Sequence, residues 1–157
     1  MKAVVQRVTD ASVTVENVIK GSISSGLLVY LGVADNDDNN DADWLAEKIA
    51  NLRIFDDAEG VMNLSLKDIA ANVSTEGGLG VLAVSQFTLL ADARKGRRPS
   101  WNRAAPGEKA KKLYEYFMTK IREQGLVCER GEFQTYMKVS YTNEGPVTII
   151  LDTGIVN

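Results

Sequence analysis

The run Leu27-Leu28-Val29-Tyr30-Leu31-Gly32-Val33 is apolar at odd and even positions alike. A strand with one wet face alternates between apolar and polar residues. A run without alternation is covered on both faces, so this one reads as the central strand of a sheet, opened by Gly26. Other strands must lie beside it, and the flanking sequence offers them. Residues 2–8 and 11–16 are rich in Val and Thr and alternate; Val13 and Val15 point one way, Ser12, Thr14 and Glu16 the other. Residues 18–23 are expected to pair back as a hairpin arm. Val81-Leu82-Ala83-Val84 is a further buried strand and delivers the chain to Ser85. Segments 133–142 and 147–151 return to strand character, separated by a Gly-Pro turn.

Two helices complete the pattern. Leu45, Ile49 and Leu52 recur at helical spacing, and the acidic stretch Asp35 to Asp43 before them supplies N-cap candidates. Asp35, Asp37 and Asn39 also match positions one, three and five of a calcium loop. Asn40 stands where that loop needs Gly, and Ala46 where it needs Glu, so helix capping is the better account. Pro106 sits like a first-turn proline; Ala110, Leu113, Tyr114, Phe117 and Ile121 form the apolar stripe that follows, and Gly125 suits the C′ position. Asp56 to Gly60 is a turn, and Val73 to Gly80, with three glycines, reads as a mobile connection. The whole chain, 1–157, reads as one α+β domain with a mostly antiparallel sheet and two main helices.

The chain contains no histidine. Ser-His-Asp and Cys-His pairs are excluded, as are zinc sites built on imidazole. The single Cys128 has no disulfide partner within the chain and reads as an inert buried thiol. No phosphate-binding GxxxxGK[ST] loop is present. Neither a metal nor a cofactor is expected. No run approaches the roughly 18 apolar residues that span a bilayer, and Met1 to Val8 lacks a signal-peptide pattern, so a cytoplasmic location is expected. The hydroxyls of Ser85 and Thr88 have no base nearby in sequence; a lysine or carboxylate through space is the open alternative. Chemistry that needs no strong side-chain base is therefore favoured.

Two strings carry a resemblance: Ser85-Gln86-Phe87-Thr88-Leu89 and Asn143-Glu144-Gly145-Pro146-Val147-Thr148. Gln6-Arg7-Val8, Arg53-Ile54-Phe55 with Asp57, Gly60 and Met62-Asn63, and Arg98-Pro99-Ser100 extend it along nearly the whole chain. In combination they resemble the D-aminoacyl-tRNA deacylases, which hydrolyse the ester joining a D-amino acid, or glycine, to the 3′ end of tRNA. The resemblance implies a small α/β barrel-like domain, a homodimer with active sites at the subunit interface, and aminoacylated tRNA as partner. It implies that Ser85, Gln86, Phe87 and Thr88 line the site, with backbone N–H groups near Phe87 and Thr88 as an oxyanion hole. The ester's neighbouring 2′-hydroxyl would assist the water. Gly145-Pro146 would be a cis peptide from the other subunit whose carbonyls exclude an L side chain. Arg7 would brace that motif, and Met137 would line the adenosine or aminoacyl pocket. Glu144 stands where the family often has Asp, Arg97 where Asn is common and Trp101 where Phe is common; the six residues after Leu151 look like a variable tail.

The net charge of −3 does not announce a nucleic-acid binder, so contact with RNA must be local. Arg94-Lys95-Gly96-Arg97-Arg98, with Trp101 and Arg103, is the one concentrated basic region. A solvated face is the ordinary reading of such a run. Its place just after the Phe87 motif makes Arg94, Lys95, Arg97 and Arg98 candidate phosphate contacts, which Lys109, Lys111 and Lys112 would extend. Two rival functions remain open at this point: a non-enzymatic RNA-binding module of the same fold, and a hydrolase of another activated ester.

Overall fold

A long hairpin sets the frame. In the computed structural model, which describes residues 1–72 and 78–155, β1 (Lys2–Val15) pairs antiparallel with β2 (Val18–Gly32). Five strands form one sheet in which β2 lies between β1 and β5 (Leu79–Ser85), β6 (Cys128–Arg130) flanks β5, and β7 (Lys138–Asp152) forms the edge beside β1. The Leu27–Val33 run is thus central, as its lack of alternation predicts. Leu27, Val29 and Leu31 enter one buried cluster and Leu28 the other. The long pairings, β1 with β2 and β1 with β7, are antiparallel, whereas β5 is parallel to both β2 and β6.

Parallel neighbours need crossover connections. The first runs through α1 (Asn39–Ala50), the small hairpin β3 (Phe55–Asp56) and β4 (Met62–Leu64), and α2 (Leu66–Ala70). The second contains α3 (Gly107–Glu123). Asp38 caps α1 reciprocally with Asp41, and Gly125, at φ +82°, follows the C-cap Gln124 of α3. Pro106 is the N-cap rather than a first-turn residue, and Leu52 lies past the end of α1.

Leu45 and Ile49 of α1 and Leu113, Phe117 and Ile121 of α3 bury against Val5, Val29 and Val81 on one face of the sheet. Each such side chain contributes about 1.5–3 kcal/mol on removal from water. The Tyr114 hydroxyl donates to the Ala83 carbonyl at 2.8 Å and ties α3 to β5. Among the described residues, the cluster on the other face contains no helix. Val8, Ala11, Val13, Ile23, Leu28, Leu82 and Val84 are buried there, with Tyr30, Met137 and Val139 packed against them. Gly26 is required where β2 meets β5: its φ is +131°, and a Cβ there would stand 2.0 Å from the Gly80 carbonyl oxygen.

Residues 18–23 pair back on β1 as the expected hairpin arm, Val18 opposite Val15 and Ile23 opposite Ala11, within the longer β2. Two segments differ from expectation. The last strand begins at Lys138, not 133; Gly131 to Met137 is irregular, with Gln134 at φ +60° and Thr135 Oγ1 donating to the Glu132 carbonyl at 2.9 Å. Gly145-Pro146 does not separate two strands. It lies inside β7, where Gln6 faces Thr148 and Val8 faces Asn143, so residues 144–147 bulge opposite Arg7 alone. Of the expected mobile connection, residues 73–77 lie outside the described residues, while Leu79 and Gly80 begin β5. Asp152 ends β7, Thr153–Ile155 form a 3-10 turn, and residues 156–157 of the expected tail lie outside the described residues.

Candidate active site

Strand β5 carries Ser85 to its C-terminal end. The Gln86 N–H then donates to the Leu31 carbonyl at 2.8 Å and continues the pairing with β2 by one step. The chain turns at once into a 3-10 turn over Phe87–Leu90. Buried Leu90 anchors it against Gly32, where a Cβ would come within 2.5 Å of Leu90 Cδ2. Leu89 N–H closes the turn on the Gln86 carbonyl at 3.2 Å. The N–H groups of Phe87 and Thr88 precede that bond and have no partner within the turn. Gln86 Nε2 donates to Thr88 Oγ1, fixing the threonine side chain. Phe87 is 56% exposed and stands edge-to-face against Trp101 at 5.6 Å between ring centroids.

An open cleft of about 810 Å³ lies beside this turn. Ser85, Gln86 and Phe87 line one part of it, and Phe133 to Met137 another. Met137 therefore shares the cleft with the Phe87 motif, while Thr88 is exposed next to it and is not in its lining. Two glycines make room for the far wall. A Cβ on Gly107 would fall 2.4 Å from Gln134 Nε2, and one on Gly131 would fall 2.6 Å from Met137 Sδ. No Asp, Glu, Lys, Arg or Cys belongs to the described lining; its sole titratable side chain is Tyr136. Cys128 is elsewhere, buried, with its thiol pushed up to about 12 by burial.

The second string occupies a different place. Gly145-Pro146 is cis, exposed on β7, and outside this cleft. Arg7 lies beneath it, 9% exposed. Its Nη1 donates to the Ile54 carbonyl at 2.7 Å and lies 3.6 Å from Asp56 Oδ1; its Nη2 lies 3.2 Å from the position a Gly145 Cβ would take. Arg7 Nε is buried and has no hydrogen-bond partner among the described residues.

The basic segment is a closed loop. Asp92 and Ser100 exchange two backbone hydrogen bonds, at 2.8 and 3.0 Å, and hold residues 93–99 between them. Arg94 is turned back onto Asp92, whose carboxyl its side-chain hydrogen bond holds well below the usual range. Lys95, Arg97 and Arg98 are exposed and make no ion pair among the described residues. The loop returns through Trp101, and Ala105 N–H then donates to the Val33 carbonyl at 2.9 Å.

A family model for D-Tyr-tRNA(Tyr) deacylase matches residues 4–152. The chain belongs to that family. It is 56% identical over 153 residues to a D-aminoacyl-tRNA deacylase of Koribacter versatilis, covering 98% of this chain and 97% of that one. A D-aminoacyl-tRNA deacylase of Thermosipho melanesiensis is 56% identical over 154 residues, with 98% and 97% covered. Among solved structures, the c-Myc DNA Unwinding Element Binding Protein superimposes with a TM-score of 0.85 at 38% identity, over 98% of this chain and 99% of that one. A "probable eukaryotic D-amino acid tRNA deacylase" shares the fold, with a TM-score of 0.78 at 16% identity over 96% and 97% of the two chains.

Within this deacylase-family chain, Phe87 and Met137, both named from the sequence, line one cleft. Sequence reading misses Phe133, Gln134, Thr135 and Tyr136, because a segment read as strand points alternate residues away. The signal for an irregular wall was Gly131 just before it. It also misses the Ile54 carbonyl, a main-chain group with no side-chain signature. No helix among the described residues is long and apolar enough to cross a membrane.

Proposed function

We propose that this protein hydrolyses the ester bond of D-aminoacyl-tRNA, and of glycyl-tRNA, releasing the amino acid and the tRNA. The observation that carries the reading is a cleft beside Phe87 lined without carboxylate, amine or imidazole. Such a lining suits an ester that is already labile and brings its own hydroxyl. Water adds to the ester carbonyl, and the bond to the ribose oxygen breaks, with that oxygen taking up the proton. The neighbouring 2′-hydroxyl positions the water. The Phe87 and Thr88 N–H groups hold the oxyanion; one such donor is worth about 10²–10³ in rate in a well-studied protease. Ser85 and Gln86 shape the wall, and Met137 packs against the adenosine or the aminoacyl group.

Chirality is assigned to Gly145 and Pro146. Two carbonyls held near the substrate Cα would collide with an L side chain, whereas a D side chain points away and glycine has none. Exclusion by clash rejects more strongly than a lost contact, since one methylene is worth only about 1–3 kcal/mol. Because the pair is exposed and outside its own cleft, it is assigned to the cleft of a second subunit. The working form is then a homodimer. Arg7 braces the pair from below, Lys95, Arg97 and Arg98 contact tRNA phosphates, and the enzyme works in the cytoplasm as one domain without a cofactor.

The test is hydrolysis of matched D-, L- and glycyl-tRNA. The D and glycyl esters should be cleaved and the L ester spared; equal cleavage of D and L esters would sink the assignment. The related structure named for binding a DNA element favours one other reading, a nucleic-acid-binding module without activity. Binding of tRNA with no deacylation of any ester would establish that reading instead.

A further inference from the structure

The main cleft does not end at Tyr136. Thr135 and Tyr136 also line a second cleft of about 570 Å³, reached on the other side of the same segment and bounded by Thr14 to Asn17, Lys20, Glu132 and Lys138. Tyr136 is thus the divide between the two. It is 84% exposed, more than any other large apolar side chain among the described residues. An aromatic ring left in water costs hydrophobic free energy unless something covers it. Its backbone is nevertheless held: Gln134 occupies the space that Gly107 leaves, and Thr135 bonds to the Glu132 carbonyl.

The charges of the second cleft are Glu16, Lys20, Glu132 and Lys138. Lys20 is paired with Glu132 at 2.9 Å, while Lys138 makes no ion pair among the described residues. The free cation therefore stands two residues from the exposed ring. An aromatic platform beside a cation is the combination that holds single-stranded nucleic acid: the base stacks and the phosphate is neutralised.

We propose that Tyr136 stacks on the base of the nucleotide preceding the esterified adenosine, with that nucleotide's phosphate at Lys138. The assignment rests on the deacylase reading. With the terminal adenosine in the main cleft, the next nucleotide of a single-stranded 3′ end crosses the divide at Tyr136 and enters the second cleft. Stacking tolerates any base, so the contact grips the end without reading its sequence.

The test compares two substrates, D-aminoacyl-tRNA and a D-aminoacyl ester of adenosine alone, which lacks the preceding nucleotide. Tyr136→Ala should raise KM for the charged tRNA about 5- to 150-fold, the range that loss of one stacked base gives. The adenosine ester, which meets Tyr136 only at the edge of the main cleft, should lose clearly less, and Tyr136→Phe should restore the tRNA value. Lys138→Ala should lower the salt dependence of tRNA binding by about one phosphate contact. Equal loss on both substrates, or no loss on either, overturns the proposal. A Tyr136→Ala protein that changes oligomeric state in sedimentation overturns it too, since the ring would then face another subunit. If the unaltered protein cleaves neither substrate, the deacylase reading itself has failed, and that outcome is distinct from the others.

Discussion

Arg7 Nη2 stands 3.2 Å from the point where Gly145 would carry a Cβ, while Nη1 of the same guanidinium is held by the Ile54 carbonyl. One side chain therefore joins the bulge of β7 to the hairpin β3–β4 across the sheet edge. Gly145 is also at φ +117°, where the added Cβ would meet Val147 N at 3.0 Å. Gly145→Ala should cost about 1–3 kcal/mol in urea unfolding. It should lower D-ester cleavage at least tenfold, because the bulge must move. An alanine variant with unchanged stability and unchanged cleavage would show that the bulge is a passive turn.

The two acceptors of Arg7 should differ in weight. The bond to the Ile54 carbonyl is buried and charge-assisted, worth about 1.5–3 kcal/mol. The contact with Asp56 is 3.6 Å long and that carboxylate is half exposed, so it is worth about 0–1 kcal/mol. Asp56→Asn should leave unfolding and the D/L ratio nearly unchanged. Arg7→Lys, which cannot span Ile54 and the bulge with one fork, should relax the D/L ratio. The ratio, measured on matched charged tRNAs, separates the two variants; equal effects would mean that the ion pair carries the brace.

Thr88 is proposed to position the substrate. Its hydroxyl accepts from Gln86 Nε2, and no carboxylate or amine hydrogen-bonds to it among the described residues. Thr88→Ala should retain measurable deacylation, and a substrate with hydrogen in place of the terminal 2′-hydroxyl should lose more activity than that variant does. A folded Thr88→Ala protein at the uncatalysed rate would make the hydroxyl chemically essential.

The parts of this chain that could be read in advance are those where local pattern and tertiary environment agree. The Leu27–Val33 run is buried on both faces because nothing in it can face water, and the α3 stripe is helical because its spacing fits no strand. What stayed hidden depends on partners distant in sequence. Nothing in Cys128-Glu129-Arg130 says that it pairs parallel to β5. Gly145-Pro146 has the composition of a turn, yet the pairing of Asn143 and Thr148 with β1 on either side keeps the strand continuous. At the site, the expectation that the Phe87 string and Met137 share one pocket came only through resemblance to a family. Gln134 at positive φ was not legible at all, since glutamine gives no sign of a conformation imposed by its surroundings.

Neutralising the basic loop should act through charge alone. Arg97→Ala and Arg98→Ala together should flatten the salt dependence of tRNA binding by about two contacts, about one unit of slope each. Arg94→Ala should change it less, because that guanidinium already serves Asp92. An unchanged slope in the double variant would leave Arg97 and Arg98 as surface residues.

Cys128 should resist alkylation in the native protein and react readily in urea. Burial raises its thiol from 9.0 to about 12, so the neutral form persists in the fold at pH values where the unfolded chain ionises. The stability it contributes is complete below pH 9 and is lost as pH rises toward about 12. Rapid labelling of the folded protein at pH 8 would contradict the burial.

The clasp between Asp92 and Ser100 makes residues 93–99 a cassette. Its two ends are fixed to each other, so changes of length or charge inside it need not be transmitted to Phe87 or Trp101, and lengthening a closed loop is entropically mild. Under the proposed tRNA-contacting role of this loop, its length and charge can be retuned while the Phe87 turn stays untouched. An engineer can do the same, exchanging the seven enclosed residues between relatives as a portable address label.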